Sequence, residues 1–100
     1  MNDYEIKISP AAQNDFWEVA ERINMLTPEE ASLLFENIVK RTEVLVKAPE
    51  SCPSARDSQL RLRGYRMLTI DDYIYFFVIC ERCVYIRRIL YARRQYDRLM

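Results

Sequence analysis

Histidine is absent from this 100-residue sequence, glycine occurs once, and no lysine follows Lys47. Each absence closes off some chemistry. Without histidine, serine–histidine and cysteine–histidine nucleophilic schemes fall away, together with most transition-metal sites. A lone Gly64 cannot build a glycine-rich phosphate loop, which excludes P-loop and dinucleotide-binding folds. Cysteine is limited to Cys52, Cys80 and Cys83. The pair in Cys80-Glu-Arg-Cys83 has neither a second pair nor a histidine to complete the four ligands of a zinc site. A redox pair would open a helix, whereas this one flanks an expected hairpin turn, so the thiols read as ordinary strand-end residues. No apolar run approaches the roughly 20 residues of a membrane span, and the N-terminus lacks the basic and apolar regions of a signal peptide. The expectation is a cytoplasmic chain with reduced cysteines, no membrane contact, no metal and no cofactor.

What is present is unevenly distributed. Formal net charge is +0, yet residues 1–50 carry ten acids against five bases, and residues 51–100 carry five acids against ten bases. Every base in the second half is an arginine. Solvation alone would use lysine freely, so this asymmetry points to an anionic partner, nucleic acid or acidic protein. Arg87, Arg88, Arg93, Arg94 and Arg98 crowd the last sixteen residues, and the planar guanidinium fork matches phosphate or carboxylate oxygens.

Half of the residues are hydrophobic, which suits one ordered domain over residues 1–100. Tyr4 to Ile8 alternates as a short strand. Ser9-Pro10 is a helix start, followed by Phe16, Val19, Ala20, Ile23 and Leu26 at helical spacing. Thr27-Pro-Glu-Glu30 is a capping box opening a second helix with Ala31, Leu34, Phe35, Ile38 and Leu45 as its apolar stripe, ended by Pro49. The brief connection folds the two helices into a hairpin. Residues 49–59 have loop composition. Three strands are expected after it, over 60–70, 73–80 and 84–91, with Gly64 at a bulge or close approach. The order is βααβββ: an α+β fold with a helical hairpin packed on one face of an antiparallel sheet. The other face is left uncovered, and one of Arg87 and Arg88 must turn toward the helices unless a bulge intervenes. A buried arginine there needs an acid, and Glu18, Glu21 or Glu43 could supply it.

In this layout the chain resembles the RelE/ParE superfamily of toxins from bacterial type II toxin–antitoxin pairs. The stretches that carry the likeness are Tyr4-Glu-Ile-Lys-Ile-Ser-Pro10, the helical hairpin, Arg63-Gly-Tyr-Arg66, Tyr73-Ile-Tyr-Phe-Phe-Val78 and Val84 to Tyr96. The resemblance implies a microbial ribonuclease-like fold and a growth-arresting toxin, neutralised by a cognate antitoxin in a hetero-oligomer. It implies either ribosome-dependent mRNA cleavage, as in RelE-like members, or inhibition of DNA gyrase without catalysis, as in ParE-like ones. Arg66 looks like the strand arginine that holds the scissile phosphate, and Arg94 like the second arginine beyond the last strand; both would stabilise phosphoryl charge. Tyr91 stands where many relatives carry histidine, and it is the candidate for proton transfer. Met100 falls at the position of the C-terminal tyrosine of RelE-like members, with Tyr96 nearby. Arg87, Arg93 and Arg98 are candidates for binding the antitoxin. The all-arginine half tilts the expectation toward a metal-independent endoribonuclease acting on ribosomal mRNA. Gyrase inhibition is the alternative, as is an inactive binding or dimerisation domain of the same fold.

Overall fold

The computed structural model describes residues 3–92. Strand β1 (Glu5–Ile8) leads through Ser9 into helix α1 (Pro10–Ile23), and helix α2 (Pro28–Lys47) follows after a short link. Both helices begin as their sequences require. The Ser9 hydroxyl accepts the amide of Ala12, and Thr27 and Glu30 close a reciprocal capping box with proline at the first helical turn. A single 3-10 turn (Pro49–Ser51) and a short helix α3 (Ser58–Leu62) precede strands β2 (Arg66–Ile70), β3 (Tyr73–Cys80) and β4 (Cys83–Tyr91).

The four strands lie in the order β1-β4-β3-β2. β2, β3 and β4 form an antiparallel meander, while β1 pairs parallel to β4, from Glu5 opposite Cys83 to Ile8 opposite Ile86. The sheet is therefore mixed. A strand whose return passes through two helices can come back parallel, and no local pattern announces that choice.

One face of the sheet carries the main core. Leu68, Ile70, Tyr75, Phe77, Val84, Ile86 and Ile89 pack beneath Ala12 and Val19 of α1 and Leu45 of α2. The opposite face, expected to be open, is covered in part. Met67, Ile74, Phe76 and Leu90 form a second cluster with Ala55 and Leu60. The reason is α3, which occupies the beginning of the expected strand over 60–70. Asp57 accepts the amides of Gln59 and Leu60, and Gly64 ends the helix at φ 82° with its amide on the Arg61 carbonyl and the Tyr65 amide on Leu60. A left-handed residue after a helix end is a natural place for glycine, so Gly64 caps rather than bulges.

The segment before α3 also guards the edge of the sheet. Ala55 donates to the Tyr65 carbonyl and Met67 to the Pro53 carbonyl, which pairs the exposed backbone of β2. No helix among the described residues is long and apolar enough to cross a membrane.

Candidate functional site

A β-bulge decides how the two adjacent arginines of β4 are used. Phe76 pairs with Arg88 but Phe77 pairs with Ile86, so Arg87 is the extra residue. Arg87 is exposed, and its carbonyl accepts the Ser9 hydroxyl at 2.8 Å. Arg88 instead reaches α1, where Nε and Nη2 grip the Asp15 carboxylate at 2.7 and 3.0 Å. The same carboxylate accepts the Ile89 amide at 2.9 Å. Half-buried Arg88 does have an acid partner: its hydrogen bonds go to Asp15, which was not among the expected acids Glu18, Glu21 and Glu43, while Glu18 also acts on it electrostatically. Asp15 lies on the buried stripe Ala12, Asp15, Val19, so α1 is rotated from the face marked by Phe16. Bonding to this carboxylate holds the Arg88 guanidinium above its already high ordinary pKa.

Tyr91 stands at the end of β4 on the wall of a cleft of about 770 Å³ between the helical hairpin and the β2–β3 turn. The Arg22 guanidinium lies 4.5 Å above its ring, and Tyr73 meets it edge-on with centroids 5.6 Å apart. Asp71 and Asp72 form the turn at the cleft's rim. Asp71 holds a left-handed φ of 53° and accepts Asn37 Nδ2 at 3.0 Å, and the Asp72 carbonyl accepts the Ala92 amide. Burial pushes the Tyr73 phenol up from its ordinary value, away from the range in which it could act as a base near neutral pH. Arg22 carries no sequence signal for this role, since it lies on the other half of the chain and meets Tyr91 only in the fold.

Arg66 begins β2 and is half-buried. Its Nη1 donates to the carbonyls of Cys52 at 2.7 Å and Glu50 at 3.2 Å, closing the loop that follows α2. Arg66 sits in the row of Phe77 and Ile86, whereas Tyr91 sits in the row of Tyr73 and Ile70. Four residues of strand separate those rows, about 13 Å along the sheet. The structure thus does not bring these two candidates together. Arg93, Arg94 and Arg98 lie outside the described residues, as do Tyr96 and Met100.

Among the described residues no group of three or more cysteine or carboxylate side chains is placed to hold a metal ion. Cys80 and Cys83 are free thiols on facing positions of the β3–β4 hairpin, as expected from their spacing.

The family model described as ParE toxin of type II toxin-antitoxin system, parDE, matches residues 6–96. Among solved structures, the chain is similar to one from the chromosomal ParDE TA system of P. aeruginosa, with TM-score 0.68 and 19% identity over 93% of this chain and 100% of that one. It is also similar to YafQ from E. coli strain BL21(DE3), with TM-score 0.52 and 15% identity over 97% of this chain and 99% of that one. At these identities the likeness establishes the fold. No curated protein matches the sequence.

Proposed function

Because the chain belongs to the ParE toxin family of type II toxin–antitoxin systems, we propose that it arrests bacterial growth by binding DNA gyrase and cleaves no RNA. As the toxin half of such a pair, it has a protein antitoxin for a partner.

The observation that carries the non-catalytic reading is the division of labour between Arg66 and Tyr91. A ribonuclease that stabilises a phosphorane needs its guanidinium and its proton-transfer group about 3 Å from the same reacting phosphate. Here Arg66 Nη1 is engaged by two backbone carbonyls, and Tyr91, whose backbone row lies about 13 Å along the sheet from that of Arg66, is packed under Arg22. Each has a structural task of its own. A toxin that works by occupying a protein surface needs no such convergence, only a shaped and charged exterior.

The antitoxin is assigned to the arginine-rich end of the chain. Arg87, Arg93 and Arg98 would meet carboxylates of an acidic segment lying beside β4, where the bulge leaves Arg87 exposed.

The test is growth arrest on expression without antitoxin, scored for which process stops first. Inhibition of supercoiling by purified gyrase, with intact ribosome-bound mRNA, is the expected result. Arrest and gyrase inhibition should persist in an Arg66→Ala, Arg94→Ala double variant that remains folded. Cleavage of mRNA that disappears in that variant, or in Tyr91→Phe, would refute the gyrase reading and assign Arg66, Tyr91 and Arg94 to RNA cleavage.

A further inference from the structure

A five-residue helix is too short to persist through its own hydrogen bonds, yet α3 is fixed at both ends. The Asp57 carboxylate caps it, Gly64 closes it, and Leu60, 4% exposed, anchors its inner side in the second core cluster. Ala55 and Tyr65 tie its two flanks together across the edge of β2. What this scaffold presents outward is Leu62, 87% exposed, with Arg61 and Arg63 beside it and Arg56 just before the helix.

A single exposed leucine is ordinary. Its setting is not. The segment from Arg56 to Arg66 holds four arginines and one acid, and that acid, Asp57, is occupied by the amides of Gln59 and Leu60. Arg66 is turned to the Cys52 and Glu50 carbonyls, and one nitrogen of Arg61 holds the carbonyls of Arg56 and Ala55. No ion pair neutralises Arg56, Arg61 or Arg63 among the described residues. The result is a protruding apolar residue on a pre-ordered support, accompanied by three exposed arginines without ion pairs.

We propose that this arginine-flanked Leu62 knob is the surface by which the chain docks on a folded, acidic partner protein, one with an apolar pocket rimmed by carboxylates. The proposal rests on the toxin reading above and identifies the knob as the target-binding surface. Three considerations select that occupant. Arginine is enriched among the residues that dominate protein interfaces, and a pre-ordered support leaves little loop entropy to be lost on binding. A nucleic acid would pair with the arginines but leave Leu62 against a phosphate backbone, with no apolar burial. An amphipathic antitoxin segment suits a groove, and this molecule offers grooves on the helical side of the sheet, around Tyr91 and between Phe16 and Val39. A side chain as exposed as Leu62 is buried only by a concavity on its partner, which a folded target supplies.

The experiment uses the full chain, purified with its antitoxin and released from it, in three forms: wild type, Leu62→Ser, and Arg56→Glu with Arg63→Glu. Arg61 is left alone because it braces the loop. Growth arrest, retention on immobilised gyrase, antitoxin affinity and circular dichroism are measured for each. Both variants are expected to lose gyrase retention and growth arrest by about tenfold or more, as for a buried anchor residue, with antitoxin affinity and fold unchanged. Undiminished arrest by the folded variants overturns the proposal. So does a parallel loss of antitoxin affinity, which would make the knob part of the antitoxin site. Retention of duplex DNA that falls in the arginine variant while Leu62→Ser behaves as wild type would assign the surface to nucleic acid, again overturning it. If arrest falls but gyrase retention does not, the knob stands and gyrase is the wrong target. If the wild-type chain itself fails to arrest growth, the toxin reading falls and this proposal with it.

Discussion

Asp15 shows how much one side chain can organise. It is a buried carboxylate that satisfies three donors from the last strand, two from Arg88 and the amide of Ile89. Beyond Ile8 the partner strand has ended, so the amide of Ile89 would otherwise be buried without an acceptor. Replacing Asp15 with alanine should destabilise the protein by about 2–3 kcal/mol, less than a fully enclosed ion pair because Arg88 keeps some access to water. Urea unfolding measures this, and a loss under about 0.5 kcal/mol would contradict the role given to Asp15. Gly64 makes a different case. A Cβ there would touch nothing within 4 Å, so Gly64→Ala should cost only the left-handed backbone penalty, about 1–2 kcal/mol. Gly64→Asn should cost less than Gly64→Ala in the same assay, since asparagine tolerates that conformation better.

At the scale of elements, the two long helices behave as their caps dictate and α3 does not declare itself in advance. The α2 capping box has a pH signature. Hydrogen bonds from Thr27 hold the Glu30 carboxyl below the usual glutamate range. A depressed folded-state pKa gives stabilisation that is complete above the unfolded value, about 4.3, and fades as pH falls through the lower folded one. The first turn of α2 should therefore fray on acidification while the sheet persists. Amide exchange at Glu30 and Ala31 followed through an acid titration would detect this. In Glu30→Gln the acid-dependent fraying should vanish, and if it remains, another carboxylate is responsible.

For the molecule as a whole, the segregation of charge matters more than its sum. The acidic helices and the arginine-rich end belong to one neutral chain, so long-range fields partly cancel and nearby surface charges dominate recognition. Antitoxin association should accordingly slow as salt rises from low to physiological concentration, with the effect mainly on the association rate. Reversing Arg87, Arg93 and Arg98 to glutamate together should flatten that salt dependence and weaken the complex without unfolding the toxin. Stopped-flow mixing at several ionic strengths would measure it, and a salt-independent association rate in the wild type would refute the electrostatic role of those arginines.

Read alone, the sequence determined those features that depend on near neighbours. Ser9-Pro10 and Thr27-Pro-Glu-Glu30 start helices because the amides they cap lie within three residues, and Tyr73 to Cys80 is a strand because its side chains suit a surface packed on both sides. The α+β order, the helical hairpin and the chemistry excluded by missing histidine and glycine were all legible in this way. Tertiary structure decided what depends on residues far apart in the chain. The parallel pairing of β1, the bonding of Asp15 to Arg88, and the placing of Arg22 over Tyr91 each join segments tens of residues apart, and the bulge that separates Arg87 from Arg88 is set by how β4 pairs with β3. Helix α3 and the cover it gives the second face belong with them. A five-residue helix has too little periodicity to be read, and it exists because Leu60 finds Phe76 and Leu90 beneath it. The distance between Arg66 and Tyr91 is of the same kind: composition can supply an arginine and a tyrosine, but only the register of three strands sets them at opposite ends of the sheet.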